Sequence, residues 1–168
     1  LIRAVSRVVR TYPKIRVWII GDAPPEKTHY RQELEILVKR LGLHQTVIFK
    51  GRSQDVPGLL SQMDLLVFAT RTPEAFGRVI IEAGASGVPV VATRVGGVVD
   101  LVEDGVDGLL VGPQDPLALS EAILRILREP SLVASFSKRL REKVEKEYTL
   151  QKMINQTLAV YEETLKEE

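Results

Sequence analysis

Two glutamates on either side of an expected helix start are the residues of this sequence best placed to do chemistry. Glu74 precedes Phe76 and Gly77, and seven residues separate Glu74 from Glu82. The pattern predicts a loop that ends at Glu74 and a helix from about Phe76 to Ala85. The first backbone N–H groups of such a helix have no intrahelical partners and carry the positive end of its dipole. They form a ready phosphate site, which Gly77 leaves open because it has no side chain.

The two carboxylates would lie on opposite sides of this anion site. Carboxylates accept hydrogen bonds well, so one could hold sugar hydroxyls and the other ribose hydroxyls. The spacing alone is a weak signal, because a helical glutamate is usually solvated. The sequence around Glu82 strengthens the signal, because Glu82 follows three apolar residues and precedes Ala83. A buried carboxylate without a partner is costly, and a ligand would supply the partner.

The elements that position this segment follow from the hydrophobic pattern. Short apolar runs rich in β-branched residues predict strands buried on both faces. These runs are Ile15–Ile20, Thr46–Phe49, Leu65–Phe68, Pro89–Ala92 and Leu109–Val111. Helical patterns lie between them, one ending at Gly42 and another beginning at Asp115-Pro116. The alternation predicts an α/β fold, a doubly wound, mostly parallel sheet of about five strands with flanking helices.

The end of the chain has a different pattern. After Gly112-Pro113 no strand is indicated, and two amphipathic helices should follow Pro130 and Thr149. The second carries an apolar stripe of Ile154, Leu158, Tyr161 and Leu165. We therefore divide the chain into an α/β domain, residues 1–128, and a helical tail, residues 129–168.

Composition excludes several classes of function. The 168 residues carry a net charge of +1 with 5% aromatic residues, so nucleic acid is not an expected partner. The sequence contains no cysteine, which fits a cytoplasmic protein. No apolar run approaches the roughly 20 residues of a membrane helix. No His, Asp or Glu cluster has metal-ligand spacing, so no metal is expected. No strand is followed by Gly-x-Gly-x-x-Gly, which argues against a dinucleotide-dependent oxidoreductase.

The segment from Glu74 to Gly97 resembles the hallmark of family 4 glycosyltransferases. The matching residues are Glu74, Phe76-Gly77, Glu82-Ala83, Gly87, Pro89–Ala92 and Gly96-Gly97. The resemblance extends to Ile19–Asp22, Val47–Gly51 and Glu103–Val111. One departure is Gly21-Asp22-Ala23-Pro24, where the family has glycine in the third position.

The resemblance implies the two-domain GT-B architecture, in which the C-terminal domain binds a nucleoside diphosphate sugar. It implies that Glu74 is the catalytic carboxylate, that Glu82 binds the ribose, and that Arg52 and Ser53 lie against the base. It assigns the donor sugar and diphosphate to Ala75, Phe76, Gly77 and Arg78. It also implies transfer with retention of configuration and no metal or other cofactor.

On this resemblance, residues 1–128 are a Rossmann-like donor-binding domain without its usual first strand. Residues 129–168 are helices that pack on it or on an N-terminal acceptor domain. We expect that domain, and the Arg and Lys that hold the diphosphate, to lie upstream of Leu1. The chain alone should then bind donor weakly, transfer no sugar, and expose the stripe of its last helix. Self-association of the chain and peripheral membrane association of a full protein stay open.

The absent strand predicts a defect in the sheet. In the resembled fold six parallel strands follow the order 3-2-1-4-5-6, so the first and third strands of this chain would flank a gap. Unpaired main-chain groups along such a gap are unfavourable. The expectation is that Ile15–Ile20 pairs directly with Leu65–Phe68. The alternative is that another chain or segment fills the gap.

Three functions remain open on the sequence. The leading one is the donor domain of a retaining glycosyltransferase, acting in glycan or surface-polysaccharide synthesis on an undetermined acceptor. The others are part of a GT-B nucleotide-sugar epimerase and a module that binds a nucleotide sugar without turnover.

Overall fold

The computed structural model describes residues 1–22 and 28–166 as strands alternating with helices. The strands are β1 (Val17–Ile20), β2 (Val47–Gly51), β3 (Leu66–Phe68), β4 (Val90–Thr93) and β5 (Leu109–Val111). The helices are α1 (Ile2–Val8), α2 (Thr28–Arg40), α3 (Val56–Leu60), α4 (Arg78–Ala85), α5 (Val98–Leu101), α6 (Pro116–Arg128), α7 (Pro130–Glu147) and α8 (Leu150–Lys166).

The predicted strands are confirmed to within two residues at each end, and the long helices lie where the pattern placed them. Asp115 caps α6, because its carboxylate accepts from the N–H groups of Leu117 and Ala118. The short helices α3 and α5 were not predicted, since one turn of helix carries too little periodicity to detect. Ala23 and Pro24, part of the motif after β1, lie outside the described residues.

The strands form two parallel sheets. One pairs β1 with β2, and the other has the order β3-β4-β5. The expectation that the first and third strands pair directly is therefore wrong. Facing stretches of the two strands, residues 16–20 and 64–68, instead line opposite sides of an apolar groove of about 1110 Å³.

Helix α1 joins the two sheets through its packing. Helix α1 contributes Ala4 and Val8 to the apolar cluster around β4 and β5, and Ile2 and Val5 to the cluster around β1 and β2. It therefore lies across both sheets. Direct pairing of β1 with β3 would require this helix to lose part of one of its two packing surfaces, which costs buried apolar area.

The two tail helices differ in their packing. On α7, Leu140 and Val144 are buried against Gly84 of α4, where a Cβ would lie 2.9 Å from each side chain. In contrast, the apolar stripe of α8 is exposed, from 39% at Ile154 to 71% at Leu165. The expected exposure of that stripe is confirmed.

Candidate functional site

The loop of residues 69–77, here called the Glu74 loop, ends at a glycine that the backbone requires. Gly77 has φ 82° and ψ 46°, in the left-handed region that glycine adopts without strain. A Cβ there would also lie 3.3 Å from Ile80 Cδ1. Gly77 is the N-cap of α4 and has no side chain with which to cap the first amides. Those amides need another acceptor.

The carboxylate of Glu74 does not reach these helix amides but accepts from the two N–H groups just before them. Its Oε1 accepts from the N–H of Gly77 at 3.3 Å and of Phe76 at 3.5 Å. Both distances exceed the usual value of roughly 2.9 Å, so the bonds are weak. The amides predicted to receive a phosphate thus face an anion of the protein itself. An incoming anion could replace it at little cost.

A Gly-Gly turn after β4 fixes the backbone of the Glu74 loop. The N–H of Gly97 donates to the carbonyl of Glu74 at 2.9 Å. A Cβ on Gly96 would overlap the Glu74 carbonyl, and a Cβ on Gly97 would overlap that of Ala75. The two backbones therefore approach more closely than any side chain allows. The sequence shows the glycine pair but not this contact, because the partners are distant along the chain.

Glu82 has a partner within its own helix. Its Oε1 lies 3.4 Å from Arg78 Nη2, one turn earlier on α4, and its side chain keeps 33% of its exposure. It is thus not the buried, unpartnered carboxylate that the sequence context indicated. Because an exposed pair of this kind contributes only about 0–1 kcal/mol, Glu82 remains free to accept from a ligand.

The residues predicted to contact a base lie on the other sheet. Arg52 and Ser53 follow β2 and are exposed. Ser53 Oγ accepts from the N–H of Asp55 at 3.1 Å, which shapes the start of α3. Across residues 1–22 and 28–166, no hydrogen bond or ion pair joins Arg52 or Ser53 to the Glu74 loop. The structure places residues 74–77 together in one loop after β3. Arg52 and Ser53 lie after β2, which belongs to the other sheet.

An aromatic contact that the sequence did not predict supports the Glu74 loop from outside. The ring of Phe76 meets the ring of Tyr148 edge-on, with centroids 6.1 Å apart and planes at 60°. Such pairs contribute about 0.5–1.5 kcal/mol beyond their buried area. Tyr148 ends α7, and the only sequence signal for it was an aromatic residue between two amphipathic patterns.

Two cavities adjoin these elements. One of about 540 Å³ opens at the carboxyl ends of the strands; Thr70, Arg71, Thr93 and Gln114 are among its lining residues, but Glu74–Arg78 and Glu82 are not. Ligands of parallel α/β sheets bind at that edge, in sites of roughly 300–1,000 Å³. The larger groove between β1 and β3 touches Glu82 but runs along strand edges and is mostly apolar. We therefore place the candidate site at the carboxyl edge.

Other charged groups have structural partners. Arg94 pairs with Asp104 at 2.8 Å, and Lys143 pairs with the buried Asp107 at 3.0 Å, which joins α7 to the loop before β5. In the described part of the chain, no group of three or more His, Asp or Glu side chains could hold a metal ion. Within the same ranges, none of the helices is long and apolar enough to cross a membrane.

Residues 1–129 match the family model described as glycosyl transferases group 1. The chain belongs to this glycosyltransferase family. Solved GT-B glycosyltransferases superpose on it, including one from Rickettsia africae at a TM-score of 0.92 with 26% identity, over 100% of this chain and 44% of that one. The α/β, Rossmann-like GT-B fold class is thereby confirmed.

Relatives in sequence and structure agree with this assignment. The N-acetyl-alpha-D-glucosaminyl L-malate synthase of Bacillus anthracis is 29% identical over 99% of this chain and 44% of its own length. The D-inositol 3-phosphate glycosyltransferase of Corynebacterium urealyticum is 36% identical over 77% of this chain and 31% of its own. The crystal structure of Anabaena HepE in complex with UDP-glucose has a TM-score of 0.90 and 33% identity, over 100% of this chain and 44% of that one. The chain therefore spans less than half the length of these relatives and corresponds to their C-terminal part.

Proposed function

We propose that this chain is the donor-binding half of a retaining glycosyltransferase that uses a nucleoside diphosphate sugar. The observation that carries the proposal is the Glu74 loop, where the Phe76 and Gly77 amides just before α4 face a weakly bound carboxylate on a backbone fixed by Gly96-Gly97. The HepE complexes with UDP and with UDP-glucose support a uridine nucleotide sugar as the first donor to test.

Donor binding then begins with an exchange of anions. The donor brings a diphosphate and a sugar to the amides of Ala75, Phe76, Gly77 and Arg78, and the Glu74 carboxylate leaves the N–H groups that it now caps. Once released, that carboxylate can accept hydrogen bonds from the sugar hydroxyls. The same weak bonds that hold Glu74 in the free protein therefore make it available as the catalytic carboxylate.

The transfer step breaks the bond between the anomeric carbon of the sugar and the diphosphate, forms a bond from that carbon to the acceptor oxygen on the same face, and passes the acceptor's proton to the departing diphosphate. Negative charge develops on the departing diphosphate. Fixed N–H dipoles at the start of α4 would stabilise that charge without reorganising, which lowers the barrier. In this proposal Arg78 adds positive charge, Glu82 holds the ribose, Arg52 and Ser53 contact the base, and no metal or cofactor takes part.

The remaining parts of the proposal concern the whole protein. A second, N-terminal domain would hold the acceptor, and the product would be a glycan or surface polysaccharide made in the cytoplasm. The chain alone would bind donor and transfer nothing, because GT-B chemistry occurs between two domains. Multiple-turnover transfer by the purified 168-residue chain would contradict this.

The direct test is a calorimetric titration of the chain with UDP, GDP and ADP sugars, repeated with Glu82→Gln. A charged acceptor to a diol contributes about 1.5–3 kcal/mol, so the variant should bind roughly tenfold or more weakly. Its thermal unfolding should match the parent. Glu121→Gln, an exposed glutamate on α6, is the matched control and should bind normally.

Each outcome of these experiments tests a different claim of the proposed function. Equal affinity of Glu82→Gln and parent would remove the ribose role while leaving donor binding intact. No binding of any nucleotide sugar by the parent would remove the donor-binding proposal. If the joined two-domain protein exchanges isotope at the donor sugar without transferring it, the epimerase is the correct alternative. Binding without either reaction favours a non-catalytic module.

A further inference from the structure

The outer face of the Glu74 loop rests on a residue far along the chain. Phe76 keeps 46% of its exposure, and its ring contacts that of Tyr148, while the Gly96-Gly97 turn contacts the loop through its backbone. The loop is therefore held by two supports, one of main chain and one of side chain. Both bear on residues next to the amides that Glu74 caps.

Tyr148 is itself packed on the domain. Its hydroxyl makes a long hydrogen bond to the Asp100 carbonyl at 3.3 Å, and its N–H donates to the Val144 carbonyl at 3.0 Å. Its side chain packs against the cluster that contains Val144 and Leu101. Lys143, on the helix that Tyr148 ends, pairs with Asp107 in the loop before β5. This ion pair anchors the end of α7 to the domain. A packed ring of this kind can set the position of the more exposed Phe76 ring.

The helical path breaks at the same residue. Tyr148 has φ −120° and ψ 37°, and α8 begins at Leu150 with its apolar side chains exposed. An ion pair between Glu147 and Lys152 spans the break. The hydrogen bond from Lys152 holds the pKa of the Glu147 carboxyl below its usual value. Helix α8 thus leaves the domain next to the ring that contacts Phe76.

We propose that Tyr148 is a positioning residue for donor binding, which orients Phe76 and so holds the amides of Phe76 and Gly77 towards the ligand. This inference rests on the proposed function, because it assigns a role within the same site. Tyr148 would not touch the donor. Its effect would reach the ligand only through the Phe76 ring and the backbone that carries it.

The test combines affinity with a probe of the ring contact. The chain has four phenylalanines, so labelling with 4-fluorophenylalanine gives four ¹⁹F resonances, and Phe76→Leu identifies that of Phe76. The ligand is UDP, titrated by calorimetry. The variants are Tyr148→Leu and Tyr148→Phe. Tyr12→Leu is the matched control, because the Tyr12 hydroxyl also donates to a carbonyl, that of Leu127 at 3.4 Å, elsewhere in the domain.

In Tyr148→Leu the Phe76 resonance should shift before UDP is added, and the Kd for UDP should rise about threefold to tenfold, as expected for loss of one aromatic pair. Tyr148→Phe keeps the ring and adds a fifth labelled phenylalanine, whose resonance is the one absent from the parent; the Phe76 resonance and the Kd should stay close to those of the parent. Tyr12→Leu should change neither, even if its thermal unfolding shifts as much as that of Tyr148→Leu. Rescue by phenylalanine separates positioning from a general loss of stability.

Two results would overturn the inference alone. One is an unchanged Kd in Tyr148→Leu while the parent binds UDP, and the other is an equal rise in Tyr12→Leu. If the parent does not bind UDP or any other nucleotide, the proposed function fails and the positioning role fails with it.

Discussion

Strand β4 is hydrogen-bonded on both sides and all of its residues are buried, whereas β1 is bonded only to β2 and none of its residues is fully buried. Both are short apolar runs rich in β-branched residues, with sequences VWII and VVAT. Composition therefore does not explain the difference. The neighbours do, because β4 lies between two strands while β1 faces a groove of about 1110 Å³.

The comparison extends to function. The three-stranded half carries the Glu74 loop, its Gly-Gly support and α7, while the two-stranded half carries Arg52 and Ser53. An edge along a groove leaves main-chain donors and acceptors to solvent. The two-stranded half should accordingly open at lower free energy than the half that holds the site.

The largest expected effect is in amide hydrogen exchange. The N–H of Val17 donates to Thr46, so the alternate N–H of Trp18 points into the groove. On β3 the N–H of Leu66 donates to Pro89, which leaves that of Val67 facing the groove. Trp18 and Val67 should exchange orders of magnitude faster than Val91 at the centre of β4, since each 1.4 kcal/mol of opening free energy is about tenfold.

Val17 serves as the control within β1, because its bonded amide reports opening of the two-stranded half as a whole. Protection of Trp18 and Val67 equal to that of Val91 in a dilute monomer would show that the groove is closed in solution. The contrast between the two halves would then be lost.

An intermediate effect is expected from Gly97→Ala. Gly97 has φ −68°, which alanine accepts, so the only penalty is the overlap of the new Cβ with the Ala75 carbonyl. Overpacking of this kind costs about 1–3 kcal/mol, to be measured by chemical denaturation. Gly112→Ala, whose Cβ would meet nothing within 4 Å, is the control and should change stability little.

Amide exchange in Gly97→Ala also shows which of the two sheets is destabilised. Exchange should accelerate in β3, β4 and the Glu74 loop while Val17 in β1 stays unchanged. A uniform acceleration across both sheets would mean that the two halves unfold together.

The smallest effect concerns Gln114, which has φ 60° in the left-handed region. Gln114→Gly should stabilise the chain by about 0.5 kcal/mol, because relief of strain is partly offset by the greater entropy of unfolded glycine. Gln114→Ala keeps the strain and should give no gain. A thermal melt of the three proteins measures this, and equal melting temperatures would show that the backbone at Gln114 is unstrained.

The sequence by itself determined the five strands in the described residues, the cap of α6 at Asp115 and, to within two residues, the start of α4, predicted at about Phe76 and found at Arg78. These features depend on local hydrophobic periodicity and on the backbone conformations that single residue types favour. Both can be read from a short segment of sequence. The family assignment also followed from local motifs, since Glu74 to Gly97 is one continuous segment.

Only the tertiary structure decided how those elements meet. The carboxylate of Glu74 accepts from the amides of Phe76 and Gly77, on a loop whose backbone is bonded to the Gly96-Gly97 turn. The ring of Phe76 contacts that of Tyr148, at the end of α7. The sheet divided at β1 and β3, and α1 packs on both halves across the division. Contacts between distant segments depend on the volume and position of everything packed between them, and no local pattern encodes that.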